Sequence, residues 1–274
     1  MTKRFGLLHH PRILDASRLA QEAAVALHGL GVEVWRASAY DEAQLRREGH
    51  RSDLVISFGG DGTIVRVART IAGLNVPILG VNLGRVGFLA ELQPAEVPDQ
   101  LQALVAGRFW LEERMMLHAD LQRADQVVQS FEAINDVVAS RGRIARVVRI
   151  KVDIDGQYLT TYVADGVIVA TPTGSTAYSL AAGGPILAPQ MSNLVVKPIA
   201  PHLTVATGLV LPATASVRLS LSTDSEATLT VDGQVDVPLL EGDVVVATAS
   251  RNVCPFVRLG THSYFYQTLL QKLQ

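Results

Sequence analysis

Cysteine is almost absent: Cys254 is the only one in 274 residues. A single thiol excludes an intramolecular disulfide and a cysteine-built zinc cage. Neither an HExxH motif nor a Gly-Lys pair occurs, which removes zincins and P-loop NTPases. No charge sign dominates, since 24 Lys plus Arg face 26 Asp plus Glu for a net of −2. Such a chain has no polyelectrolyte field, and a nucleic-acid partner is not expected. Pro and Gly interrupt every apolar stretch before it reaches the about 18 residues of a membrane span. The start, with Lys3, Arg4, His9, His10, Pro11 and Arg12, lacks the apolar core of a signal peptide. The expectation is a soluble, cytoplasmic protein with no membrane partner. What is present is apolar residue in quantity, 48% of the chain, enough for a large core in one or two domains. Twenty of the basic residues are Arg, whose planar forks suit phosphates, though a count assigns no site.

The pattern changes character along the chain. Phe5–Leu8, Val32–Trp35, Leu54–Phe58 and Val76–Val81 read as strands. Between them Asp15–Gly31, Thr63–Leu74 and then Val97–Ala106 read as helices, the first with Leu19, Ala23, Ala26, Leu27 and Leu30 on one face and Gly31 as its stop. Alternating strands and helices predict a mostly parallel sheet covered on both faces. From about Met115 short strands follow one another, Val147–Ile154, Val217–Leu221, Thr228–Val231 and Val244–Ala247 among them. Asp155-Gly156 and Asp232-Gly233 are hairpin turns. This predicts an all-β segment of two packed sheets. A last helix, capped by Ser263 with Phe265, Leu269, Leu270 and Leu273 as its stripe, needs a surface to bury it. It is expected to return to the first domain. The expected division is an α/β domain of residues 1–112 plus 257–274 and a β-sandwich of residues 113–256. With no flexible linker between them, an interdomain cleft is the default ligand site.

Two turns attract attention. Gly59-Gly60-Asp61-Gly62-Thr63 lies between an apolar strand and a helix. Glycines allow close backbone approach, and a helix N-terminus presents N–H groups and a positive dipole end, which together suit a phosphate. Val65 stands where a GxGxxG motif needs its third glycine. An aspartate inside a phosphate loop is electrostatically odd unless a cation or a reaction requires it. Two readings are open here: Asp61 or Thr63 caps the helix, or Asp61 carries chemistry. Arg66, one turn further on, either returns over the loop to a phosphate or lies on a solvated face. The second turn runs from Thr171 to Tyr178 after the strand Gly166–Ala170, and Gly183-Gly184-Pro185 follows it. Its small hydroxyl residues and a glycine leave backbone donors and acceptors exposed, Tyr178 offers a face for a base or ring to stack on, and Asp165 is an acceptor for a ligand amide or amine; the alternative is a Ser/Thr-rich loop with Tyr178 in the core and Asp165 as a surface turn residue.

The ordered series Gly59–Thr63, Asn82–Leu89, Asn135-Asp136, Asp165-Gly166 with Thr171–Ser179, Gly183–Ile186, Pro201-His202 and His262–Phe265 closely resembles that of NAD kinases, of the ATP-dependent bacterial type. The glycine-aspartate loop alone is shared with lipid and phosphofructokinase-like kinases; the joint series is not. The resemblance implies an α/β N-terminal domain, a C-terminal β-sandwich and a last helix that returns to the first domain. It implies transfer of the γ-phosphoryl group of ATP to the 2′-hydroxyl of the adenosine ribose of NAD. It implies Mg²⁺ held mainly by ATP phosphates with no dedicated metal ligands, and a homodimer or homotetramer. Asp61 is then the general base, and Gly59, Gly60, Gly62, Thr63, Gly183 and Gly184 the ATP phosphate cradle. The NAD contacts implied are Asp61, Gly62, Arg66, Asn135, Asp136, Arg146, Asp165, Thr173, Thr176, Ala177, Tyr178, Ser179, Leu180, Ala181, Ala200 and Gln234. Two positions depart from the pattern. Many relatives carry Glu where this chain has Asp136, and some carry a basic residue in place of Val163. A lipid kinase would need an apolar acyl channel, against which the polar Thr171–Ser179 segment speaks. A non-catalytic NAD(H) sensor would not need Asp61.

Overall fold

The structure is a computed structural model that describes the chain except for residues 1, 85–86, 143–146, 203–205, 224–225, 262–263 and 274. It forms two compact units, Met1–Arg114 with Val253–Gln274, and Met115–Asn252.

The first unit alternates β1 (Arg4–His9), α1 (Leu14–Gly29), β2 (Glu33–Ser38), α2 (Glu42–Gly49), β3 (Leu54–Gly59), α3 (Asp61–Thr70), β4 (Ile78–Asn82) and α4 (Val97–Val105). The strands pair in parallel in the order β2-β1-β3-β4. β3 and β4 are buried at every residue, which is why they read as continuous apolar runs rather than alternations. α1 ends as Gly31 predicts. Gly31 has φ +77°, its N–H reaches His28 O at 3.0 Å, and Val32 N–H reaches Leu27 O at 3.1 Å, a Schellman closure. The buried face of α1 is rotated from the expected one. Ala16, Ala20, Ala23, Ala24 and Leu27 are inside, while Ala26 and Leu30 are exposed, because small alanines let the helix lie close on the sheet. α2 was not expected: only Leu45 and Gly49 are buried, too few for an apolar period, and its start is set by Asp41 accepting Gln44 N–H at 3.0 Å.

The second unit is built from strands. β5 (Trp110–Arg123), β6 (Gln126–Ala133), β7 (Asp136–Arg141), β8 (Val148–Ile154), β9 (Gln157–Ala164) and β10 (Gly166–Ala170) precede one short helical turn, α5 (Tyr178–Ala181). β11 (Asn193–Ile199), β12 (Leu209–Pro212), β13 (Val217–Ser222), β14 (Ala227–Val231), β15 (Val235–Leu239) and β16 (Val244–Arg258) follow. One antiparallel sheet has the order β12-β11-β10-β7-β14-β15. The other has the order β9-β8-β13-β16, with β5 beside β16 and β6 beside β5. Leu117, Ile150 and Leu219 from this sheet share one core with Val137, Val169 and Leu229 from the first, so the expected two-sheet packing is present. Both Asp-Gly turns have two consecutive positive φ angles, 52° and 77° at Asp155-Gly156 and 52° and 63° at Asp232-Gly233, the handedness that matches strand twist.

The chain end belongs to the first unit. Phe256 of β16 pairs in parallel with Ile78 of β4. α6 (Tyr264–Leu273) buries Phe265, whose ring centroid lies 6.1 Å from that of Phe88. Among its described side chains the expected stripe is only partly inside: Phe265 is buried, Leu269 is half-buried and Leu270 is 62% exposed. Ser263, the expected cap, lies outside the described residues, as does the side chain of Leu273. Cys254 is buried in β16, and burial pushes its thiol up to about 12.

Candidate functional site

In the first unit, Asp61 is the first residue of α3, behind Gly60 as N-cap. Its carboxylate does not cap its own helix. Oδ2 accepts Phe88 N–H at 2.7 Å and Oδ1 accepts Leu89 N–H at 3.3 Å. The segment after β4 therefore closes onto Asp61, and Gly87 must be glycine, because a Cβ there would lie 1.9 Å from Asp61 Oδ1. A Cβ on Gly59 would lie 2.4 Å from Thr63 Oγ1, whereas Cβ atoms on Gly60 and Gly62 would meet nothing within 4 Å. The closing segment is anchored from behind. Arg258 donates to Leu89 O at 3.2 Å, to Glu91 at 3.1 Å and to Glu112 at 3.0 Å, and Glu112 also pairs with Arg114 at 2.8 Å. Glu112, Arg114 and Arg258 are all buried. Arg66 does not extend toward a phosphate here. Its guanidinium lies 4.3 Å above the Tyr40 ring and 3.6 Å from Glu42.

In the second unit, a cavity of about 310 Å³ gathers Asn135, Asp136, Ala177 and Tyr178 from the expected set and adds Thr230 and Asp232 beside them. Tyr178 is 47% exposed, so its ring face is open to a ligand. Asp136 is buried, and desolvation, helped by the neighbouring Asp232 charge, raises its carboxyl from 3.8 to about 7. Asp232 is the residue that sequence reasoning missed. Its carboxylate accepts the N–H groups of Ile134 at 3.1 Å, Asn135 at 2.7 Å and Asp136 at 3.2 Å. The Asp-Gly pair was legible as a turn, and nothing in the pair announces a carboxylate aimed at residues far back in the chain.

The hydroxyls of Thr171, Ser175 and Thr176 bond the chain itself. Thr171 Oγ1 donates to Ile134 O at 2.6 Å and accepts Gly174 N–H at 3.0 Å. Ser175 Oγ donates to Pro172 O at 2.6 Å and accepts Leu187 N–H at 3.0 Å, and Thr176 Oγ1 donates to Thr173 O at 3.0 Å. They fasten the segment to itself and to residues 134–135, and Tyr178 is held at its end. Gly174 packs so tightly that a Cβ would fall 2.0 Å from Asn135 O. Ser179 is fully buried, and its hydroxyl has no partner among the described residues.

Other expected residues do not line this cavity. Asp165 holds Arg141 at 2.8 Å. Thr173 is buried, Thr176, Leu180 and Gln234 are half-buried, and Ala181 and Ala200 are exposed. Gly183 adopts φ +79°, and Gly184 N–H bonds Ser179 O at 2.7 Å. Arg146 lies outside the described residues. His202 is exposed. Among the described residues no three His, Cys, Asp or Glu side chains gather as a metal site, and no helix is long and apolar enough to cross a membrane.

Known proteins match the chain on both sides of its division. The ATP-NAD kinase N-terminal domain family matches residues 8–109, and the ATP-NAD kinase C-terminal domain family matches residues 134–259. The NAD kinase of Dehalococcoides mccartyi is 42% identical over 275 residues, covering 100% of this chain and 97% of its own length. That of Chloroflexus aurantiacus is also 42% identical over 275 residues, with 100% and 99% covered. The crystal structure of yeast NADH kinase complexed with NADH superposes with a TM-score of 0.87 at 26% identity, over 99% of this chain and 87% of that one. The structure of an NAD kinase from Archaeoglobus fulgidus in complex with ATP gives 0.78 at 26% identity, over 98% of each. Since both family domains fall on it in order and relatives match it end to end, the chain belongs to the ATP-NAD kinase family.

Proposed function

We propose that Asp61 is the general base of the reaction and that the cavity around Asn135, Asp136 and Tyr178 takes NAD. The chain is a phosphotransferase with an alcohol acceptor: it transfers the γ-phosphoryl group of ATP to the 2′-hydroxyl of the adenosine ribose of NAD, giving NADP. The carrying observation is the cavity itself, which gathers an amide, a carboxyl and an open aromatic face. A ribose diol supplies two donors, which an amide oxygen and a carboxylate accept, and the Tyr178 ring stacks on a base or nicotinamide. Asp165 extends the NAD contacts by exchanging Arg141 for an amide or amine of the ligand.

Phosphoryl transfer needs little covalent work from the protein beyond positioning, charge stabilisation and a place for the hydroxyl proton. Asp61 receives that proton late in the transfer. The Phe88 and Leu89 amides hold the carboxylate in one orientation and leave each oxygen a lone pair for the hydroxyl. The head of α3, with Gly60 and Gly62 facing open space, suits the ATP phosphates. Mg²⁺ comes with ATP, whose phosphates and water supply most of its ligands; when bound it offsets the phosphate charge. We further infer that the enzyme works in the cytoplasm as an assembly of two or four copies, as its relationship implies.

The test is direct. Purified protein with ATP, Mg²⁺ and NAD should form NADP, detected by an NADP-specific dehydrogenase; none at micromolar enzyme ends the reading. Asp61→Asn should lower kcat by about 10²–10⁴-fold, and near-full activity would reduce Asp61 to a positioning role.

A further inference from the structure

Two Asp-Gly turns in this chain have nearly the same backbone and very different carboxylates. Asp155 and Asp232 both have φ of 52°, and each precedes a glycine of positive φ. Asparagine or glycine would satisfy such a turn as well as aspartate. Asp155 is exposed and accepts one N–H, from Ser216 at 2.8 Å. Asp232 is buried, 8% exposed, and accepts three consecutive N–H groups from residues 96 to 98 positions away. Its own N–H donates to Asp136 O at 2.9 Å. Turn formation accounts for none of these bonds. They fall on the residues that present Asn135 and Asp136 to the cavity.

The same segment is held from its other side. Asn135 O accepts Thr171 N–H at 2.9 Å, and Gly174 leaves room for that carbonyl by lacking a Cβ. One side of this clamp is backbone and sterics. The other is a single carboxylate. We propose that Asp232 is a positioning residue for NAD recognition, its carboxylate fixing the backbone from which Asn135 and Asp136 reach the dinucleotide. This rests on the reading that the cavity takes NAD.

The charge matters as well as the shape. Among the described residues the titratable side chains lining the cavity are Asp136, Asp232 and Tyr178, and no Lys, Arg or His is among them. Desolvation, and after it the neighbouring Asp232 charge, oppose ionisation of Asp136.

Asp232→Asn separates these roles from turn formation, because asparagine keeps the size and tolerates the φ. It replaces one acceptor oxygen by a donor facing a backbone N–H and removes the charge. The KM for NAD should rise about tenfold or more while the KM for ATP stays within about twofold. The pH at which NAD binding changes should move down, since Asp136 loses its like-charged neighbour. An unchanged KM for NAD, or equal rises for both substrates, would overturn the proposal. If the variant does not fold, the wild-type protein still decides. The amides of Ile134, Asn135 and Asp136 should exchange at least about 100-fold more slowly than in an unstructured chain, and unprotected amides would overturn it. Asn135→Ala and Tyr178→Ala are the controls. If neither raises the KM for NAD, the cavity does not hold NAD and both readings fall. If they do and Asp232→Asn does not, only the positioning role falls.

Discussion

Asp136 shows how the surroundings of a single side chain set its ionisation. Burial, with Asp232 beside it, lifts its carboxyl from 3.8 to about 7. An ionised carboxylate is the better acceptor for ribose hydroxyls, so NAD binding should strengthen as the group ionises. The KM for NAD is expected to fall from about pH 6 to about pH 8, and Asp136→Asn should flatten that dependence. The sign for stability is opposite. The folded pKa lies above the unfolded one, so the contribution is full below about pH 4 and is lost as the pH rises through about 7. Urea unfolding should show wild-type protein losing stability over that range relative to Asp136→Asn. Asp136 lines the cavity despite an arm shorter than that of Glu.

At the level of the element, the segment from Thr171 to Leu187 is a laced turn rather than an open ligand loop. The hydroxyls of Thr171, Ser175 and Thr176 are spent on Ile134 O, Pro172 O and Thr173 O, and these bonds fix the segment that carries Tyr178. Gly174→Ala would place a methyl 2.0 Å from Asn135 O. The expected outcome is a loss of roughly 1–3 kcal/mol in thermal or urea unfolding and a higher KM for NAD. Gly60→Ala is the contrast: with nothing within 4 Å of the new Cβ, stability should stay within about 0.5 kcal/mol. The composition of such a segment is legible in sequence, but whether its hydroxyls face a ligand or the backbone is not. Both uses favour the same Ser, Thr and Gly residues.

Over the whole molecule, the chain leaves its first unit and returns to it. β16 brings Arg258 into a buried cluster with Glu91, Glu112 and Arg114, and the same guanidinium holds Leu89 O. Residues from three distant stretches thus support the turn that holds Asp61. Removing one member of a buried ionic group leaves its partners uncompensated. Arg258→Met should cost about 3–5 kcal/mol in denaturant unfolding. Where it still folds, it should lower kcat more than the KM for NAD, because Leu89 no longer steadies Asp61. A variant as stable and active as wild type would show that the cluster supports neither.

By itself the order of amino acids determined what is local. The apolar runs at Leu54–Phe58 and Gly166–Ala170, the stop at Gly31, the two Asp-Gly turns and the ordered motifs were readable because each depends on neighbours a few positions apart. Asn135, Asp136, Ala177 and Tyr178 were named from those motifs, and they meet in one cavity. Tertiary structure alone decided which face of α1 is inside, that Arg66 stacks on Tyr40, that Asp61 is held by Phe88 and Leu89, and that Asp232 grips residues 134–136. These are contacts between groups far apart in the chain. They are directional bonds and close packing that leave no period in the sequence, and they exist only once folding has brought their partners within about 3 Å.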